Sequence, residues 1–473
     1  LWRMGGGELA AAIRARRVSA REVVQAHLER IDDVNPRVNA VTRTLAGEAL
    51  AAADAADRRQ AEGGELGPLH GVPITIKQTK DVAGSPTTSG VVAPADAVPG
   101  IDSPDVAHLR SAGAIPIGRT NTPEFELGWH ADNPLYGATL NPWDPTRTPG
   151  GSSGGEAVAL ATGMSPLGLG SDLVASLTFP AQCNGICSLR PTPGRVPYAT
   201  VIEPVDPPIS IQLMAVEGPM ARHVSDLRVA FSIMSRPSSR DPWQVPAPLT
   251  GPPLLRAPRV ALVVDPAGQG VSPQVAAGVR RAAEGLAAAG YAVEEVEPPE
   301  VLRAAGAFLD LLLADLQILW PHMSPLGSAD ANRFISGCFD LHHPVDAATH
   351  LQAFLTRRAV ARAWAAFQDE HPLILAPVAT EPPFAVGADL DPDPDHGLPA
   401  ILRSMRMTLA VSLLGVPALA VPSGIGDGLP QVVQVVGPRF REDLCLAAGE
   451  AIESARGELT LPALNSQTPQ EEP

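Results

Sequence analysis

Pro149-Gly150-Gly151-Ser152-Ser153-Gly154-Gly155 is a run of small residues set directly before the apolar stretch EAVALATG at 156–163. A flexible linker would lead into more polar sequence; this run leads into what reads as a short buried helix. A phosphate-binding loop would close on Gly-Lys-Ser/Thr, which is missing here. Ser153, between Gly151 and Gly155, has the spacing of a hydrolase nucleophile elbow. That motif needs a buried strand immediately before it, and the preceding DPTRTP at 144–149 cannot supply one. For the run in isolation a structural glycine turn remains open.

A second feature lies upstream. Lys77 and Lys80 are the only lysines among 35 basic residues. A GC-rich genome accounts for the arginine bias, but not for a lysine ending the apolar run Val72-Pro73-Ile74-Thr75-Ile76. Arginine stays charged in a protein, whereas a buried lysine can be neutral and act as a base. Lys77 is therefore a candidate site residue, with a surface lysine at a strand end as the plain alternative.

The rest of the chain frames these two features. At 473 residues it is long enough for a large core, and length alone suggests two or three domains. The 43 Gly and 50 Pro imply many turns, and with 4% aromatics most packing falls to aliphatic side chains. A net charge of −16 argues against nucleic acid or an anionic membrane as partner. No apolar run reaches the roughly 18 residues of a membrane span. The start, Leu1-Trp2-Arg3-Met4, does not read as a signal peptide, although a chain beginning with Leu leaves a removed leader open. Cys183, Cys187, Cys338 and Cys445 lack zinc-site spacing and read as reduced structural thiols of a cytoplasmic protein.

Residues 8–33 read as a helix pair, with Ser19 and Glu22 forming a capping box. Strand-like ITIK and AIPIG lie within 66–120, and a Pro-rich loop spans 236–258. Beyond it strands alternate with helices: RVALVV, helix 274–290, AVEEVE, helices near 300–319 and 351–369, LILAPV, helix 400–414, PALAVP, QVVQVV and helix 442–455. That alternation indicates an α/β sheet covered on both faces. The polar tail from 463 to 473 is expected to be disordered.

The blocks taken together resemble the amidase signature family over nearly the whole chain. They are GPLHGVPITIK at 67–77, PTTSG at 86–90, AGAIPIGRTNTPEF at 112–125 and TLNPWDPTRTPGGSSGGE at 139–156. GPMAR at 218–222, GVPALAVPSG at 415–424 and VVGPRFRED at 435–443 complete the series. The resemblance implies one α/β/α domain over 1–462 with a central mixed sheet. Its parts are N-terminal helices at 8–65, a core at 66–235, the Pro-rich loop and a C-terminal α/β part at 259–462. It also implies a Ser-Ser-Lys triad: Ser176 as nucleophile, Ser152 on a cis peptide as the bridge, and Lys77 as base. Ser153 and Asp172 would support the triad, and the backbone N–H groups of Leu173, Val174, Ala175 and Ser176 would form the oxyanion hole. Arg195 and Arg222 read as structural ion-pair or carbonyl partners.

The residue chemistry is consistent with that assignment. A serine hydroxyl is a weak nucleophile until a neighbour takes its proton, and burial that lowers a lysine pKa lets it serve. The chain departs from the family pattern at the reacting centre: Val174-Ala175 stands where Gly-Gly is usual, Thr178 where an arginine is, and Gln78 where aspartate often follows the lysine. Three readings follow. The first is an active hydrolase of a neutral, fairly bulky carboxamide or carbamate, working through an acyl-enzyme without metal or organic cofactor. The others are a degenerate member that binds without turnover, and an amidotransferase-type subunit. Pocket candidates are Gly128, Trp129, Gly150, Gly151, Thr178 and Trp320, with Tyr136, Phe308, Leu311, Leu312, Ile318 and Phe334 nearby in sequence. His130, His322, His342 and His343 are weaker candidates for metal ligands than for ordinary surface or core histidines. The expected partner is a small-molecule substrate, and the family resemblance allows a homodimer.

Overall fold

The structure is a computed structural model that describes residues 1–203, 205–253, 258–342, 344–459 and 461–462. The expectation of a disordered tail at 463–473 lies outside the described residues.

Among the described residues eleven strands form one mixed sheet: β1 (Val41–Thr44), β2 (Pro73–Lys77), β3 (Ile115–Thr120), β4 (Leu167–Asp172), β5 (Cys187–Arg190), β6 (Val216–Ala221), β7 (Arg259–Leu262), β8 (Ala292–Glu295), β9 (Leu373–Pro377), β10 (Ala418–Gly426) and β11 (Leu429–Val436). Their order is β1-β3-β2-β4-β6-β5-β10-β11-β9-β7-β8, so the sheet runs unbroken through both halves of the chain. β2 pairs in parallel with β3 and with β4, whereas β4–β6, β5–β6, β5–β10, β10–β11 and β9–β11 are antiparallel.

The strands read as continuous apolar runs because both faces are covered. In β9, Leu373 and Leu375 enter one core cluster while Ile374 and Ala376 enter the other; β10 divides Leu419 and Val421 from Ala418 and Ala420 in the same way. The first cluster takes the N-terminal helices, Gly6–Arg14 and Ala20–Val38, whose Ser19/Glu22 capping box is formed. The second is roofed by Val301–Met323 and Ala347–Glu370, with Trp364 wholly inside.

Helices begin and end close to their expected bounds in the C-terminal part, except that 400–414 is two helices, Leu398–Ser404 and Arg406–Leu414. Residues 236–258 contain neither helix nor strand among those described. β4, β5 and β6 carry no strand signal in the sequence: β4, Leu-Gly-Leu-Gly-Ser-Asp, is glycine-broken, and β6 contains a proline. Among the described residues no helix is long and apolar enough to cross a membrane.

Because β2, β3 and β4 are parallel neighbours, their carboxyl ends open on one side. Chain leaving that edge of an open α/β sheet is where ligand sites form.

Candidate active site

Lys77 is the last residue of β2 and is wholly buried. Its Nζ donates to Ser152 Oγ at 2.6 Å, to Ser171 Oγ at 2.8 Å and to Glu126 Oε2 at 2.8 Å. Ser152 follows a cis Gly151–Ser152 peptide, and Ser153 is the N-cap of the buried helix Gly154–Ala161. The glycines have steric causes. Gly150 has φ +81°, and a Cβ there would lie 2.7 Å from Pro180 Cα; one on Gly155 would overlap the Asn121 backbone.

The loop after β4 carries Ser176. Ser153 N–H donates to the Ser176 carbonyl at 3.3 Å, tying the glycine-rich run to this loop. The Ser176 hydroxyl makes no hydrogen bond among the described residues and faces a cavity. The backbone N–H groups of Leu173, Val174, Ala175 and Ser176 are likewise without a partner among the described residues. Asp172 holds the loop from below. Its Oδ2 accepts Leu177 N–H at 2.8 Å, and its Oδ1 pairs with buried Arg190 at 2.9 Å. The β-branched Val174 keeps a negative φ, and the left-handed position falls on Ala175 at φ +62°. Alanine there costs of order 1 kcal/mol over glycine.

Burial holds Lys77 below the usual lysine range, with Glu126, Asp172 and Glu156 opposing the effect. Burial would raise Glu126, but the Lys77 ammonium and the hydrogen bonds from Lys77 and Ser171 hold it below the ordinary carboxylate range. Glu156, in the helix after Ser153, is pushed up to about 7 by burial, against the hydroxyls of Thr75 and Thr120 that donate to it.

The cavity beside Ser176 occupies about 770 Å³ including its open mouth, and its wall is almost entirely apolar. Trp129, Phe308 and Phe334 supply aromatic rings, Leu312, Leu313 and Leu316 much of the rest; Glu126, His342 and the Cys338 thiol are the charged or ionisable members. Trp129 stands edge-on to Phe334 at 5.8 Å and donates its indole N–H to the Val174 carbonyl at 3.1 Å, linking cavity wall to loop.

Of the expected pocket residues, Gly128 and Trp129 line this cavity and four do not. Gly150 is packed on Pro180 and Gly151 on the backbone of Trp129. Thr178 is buried at the start of the helix Thr178–Asn184, and Trp320 packs edge-on to Phe125. Leu311 points into the core, Ile318 is exposed, and Tyr136 reaches Gln78 at 3.4 Å. His342 pairs with Asp310 at 2.6 Å, His130 meets Thr148 at 3.2 Å, and His343 lies outside the described residues. No three His, Cys, Asp or Glu side chains cluster as a metal would require among the described residues. Arg195 pairs with Glu442 at 2.9 Å, and Arg222 donates to four backbone carbonyls.

Glu126 and Ser171 were not singled out by the sequence. The available signal was positional: Glu126 directly follows the block ending at Phe125, and Ser171 precedes Asp172 at the end of β4.

Comparison with known proteins gives a family model, described as Amidase, that matches residues 22–446. An indoleacetamide hydrolase of Bradyrhizobium diazoefficiens is 42% identical over 97% of this chain and 88% of its own length. A glutamyl-tRNA(Gln) amidotransferase subunit of Chloroflexus aurantiacus is 32% identical over 94% of each chain. Among solved structures, a bacterial aryl acylamidase superposes with a TM-score of 0.81 at 26% identity, covering 96% of each chain.

Proposed function

The chain belongs to the amidase family, hydrolases of amide C–N bonds, and on that premise we propose that it cleaves a neutral, fairly bulky carboxamide, with an arylacetamide the best fit. The observation that carries this reading is the contact of buried Lys77 Nζ with Ser152 Oγ at 2.6 Å, beside a Ser176 hydroxyl that faces an apolar, three-ring cavity. Ser176 attacks the carbonyl carbon while its proton passes through Ser152 toward Lys77. The developing oxyanion is met by N–H groups of residues 173–176, donors of a kind typically worth about 3 kcal/mol of barrier each. The proton returns to the leaving nitrogen, and water then releases the acyl group. Asp172 and Ser153 hold the two loops in register.

The acyl group is read from the cavity wall. Rings of Trp129, Phe308 and Phe334 suit a flat aromatic acyl group, and the name of the 42% identical relative points the same way. Among the described residues the wall presents no arginine for a carboxylate-bearing substrate. A carbamate with the same aryl group would occupy the same space. An amidotransferase role has the 32% identical relative in its favour, but the net charge of −16 is poorly suited to tRNA.

The test is hydrolysis of indole-3-acetamide, phenylacetamide, an N-aryl carbamate and a p-nitrophenyl ester, with Ser176→Ala and Lys77→Ala in parallel. Turnover of the arylacetamides, lost in both variants, is expected. Turnover that survives Ser176→Ala would remove the proposed nucleophile. Silence on all four substrates would favour the non-catalytic reading.

A further inference from the structure

Glu126 reaches the site by an unusual backbone. Phe125 and Glu126 are consecutive non-glycine residues in the left-handed region, at φ +55° and +63°. Such positions are uncommon for residues with a Cβ, and they gather at functional sites. Here the conformation turns a carboxylate onto Lys77. Glu126 Oε2 accepts from Lys77 Nζ at 2.8 Å and from the Ser171 hydroxyl, which itself accepts from Lys77 at 2.8 Å. The side chain is 36% exposed and forms part of the cavity wall.

This arrangement poses a problem for a lysine base. An ammonium has three donors and no acceptor. The three contacts of Lys77, to Ser152, Ser171 and Glu126, match those three donors. A lysine in that state cannot take a proton from Ser152 until it gives one up. Among the described residues, the one carboxylate in contact that can accept it is Glu126, directly or through Ser171.

We propose that Glu126 is the terminal proton acceptor of the relay, so that Lys77 and Glu126 act together as one base. The inference rests on the Ser-Ser-Lys reading above. As the Ser176 Oγ–C bond forms, the Ser176 proton moves to Ser152 and the Ser152 proton to Lys77. Lys77 releases one of its own to Glu126 Oε2. When the C–N bond breaks, the same protons run back and the leaving nitrogen takes one from Ser152. Deacylation repeats the cycle with water as the proton source, and the ion pair is restored. Burial of Lys77 supports the sharing, since a low dielectric around the ammonium narrows the gap between the ion pair and its neutral tautomer.

Other charged groups face the pair from every side. Asp172 lies at the end of β4, Glu156 on the helix after Ser153, and Lys80 beyond β2, held between Asp105 and Glu217 of β6. None of these replaces Glu126, because none contacts Lys77 Nζ.

The sign of a pH shift tests the proposal. The wild type should lose kcat/KM for phenylacetamide only as the carboxylate protonates, in the acid range. In Glu126→Gln the lysine must itself be deprotonated, so the acid limb should move to higher pH. Activity at pH 6 should fall by about tenfold or more and recover as pH rises. Glu126→Asp should restore part of the loss. An acid limb that is unchanged, or that moves to lower pH, would overturn the proposal: the carboxylate would then be irrelevant or merely restrain a lysine that must be neutral. So would a folded Glu126→Gln that is inactive at every pH. If Glu126→Gln does not fold, Ser171→Ala gives the same discrimination. Loss of its donor should raise the carboxylate and move the limb up, whereas a limb set by the lysine alone would move down. Failure of the parent reading is separate, because it appears as turnover that survives Ser176→Ala.

Discussion

Ala175 stands where the loop after β4 turns left-handed, at φ +62° and with no exposed surface. The departure from a glycine pair therefore has a specific outcome. The β-branched residue sits where φ is negative, and the left-handed position is filled by the smallest residue that carries a Cβ. Ala175→Gly is expected to retain activity and to change stability by no more than about 1 kcal/mol, since relieved strain and added chain entropy offset one another. Ala175→Val puts a branched Cβ at the same φ and is expected to lower kcat at least tenfold. Steady-state rates and urea melts of the two variants check this. Equal activity in both would mean that the loop tolerates any backbone here, and that the N–H groups of 173–176 are not held in place by it.

The loop that carries Ser176 is held by an ion pair between two elements. Asp172 closes β4 and Arg190 closes β5, and both side chains are wholly buried. One carboxylate oxygen holds Leu177 N–H and the other holds the guanidinium, so the loop between 172 and 177 is pinned at both ends. Asp172→Asn leaves Arg190 charged and unpaired in the interior, which should cost about 3–5 kcal/mol. On the proposed mechanism it should also lower kcat more than it raises KM, because loss of the ion pair loosens the loop whose N–H groups are assigned to the oxyanion. Chemical denaturation together with kcat and KM on one amide measures both effects. A stability loss with unchanged kcat would assign the pair to folding alone.

For the whole molecule, the two core layers hold ionisable groups whose charge the fold suppresses. His27, on the buried face of the helix Ala20–Val38, is wholly buried; burial depresses its pKa from 6.5 to about 4 despite its bond to the Val23 carbonyl. The unfolded chain takes that proton below about 6.5 and the folded chain only near 4. The unfolded state therefore binds more protons in that window, and stability falls as pH drops through it, by about 3 kcal/mol from this group. Glu156 acts in the opposite sense. The fold keeps its proton to about 7, whereas the unfolded chain releases it above about 4.5, so its contribution is lost as pH rises through that range. His27→Leu should flatten the stability profile between pH 6.5 and 4 and leave it unchanged above pH 7. Thermal melts across that range check it, and an unaltered acid slope would mean that other groups govern acid unfolding.

Much of this molecule could be read from local pattern, because local chemistry specified it. Strands such as LILAP and QVVQVV are apolar on both faces, and the helices that cover them carry their own caps and periodicity. Small residues at 149–155 mark a backbone packed too closely for side chains. The lysine at the end of β2 and the loop serines stood out for the same reason, since the base and nucleophile proposed above need those residue types. What the sequence could not contain was convergence. β4 and β6 are broken by glycine and proline and become strands only through their neighbours in the sheet. Glu126 lies far from Lys77 along the chain, and only the parallel pairing of β2, β3 and β4 brings their carboxyl ends together. Phe308 and Phe334 join Trp129 in one cavity because the segments that bear them meet in the second core cluster. Residue types and element patterns are written locally along the chain. The partner of Lys77 and the shape of the cavity depend on contacts between distant segments, which a linear pattern does not record.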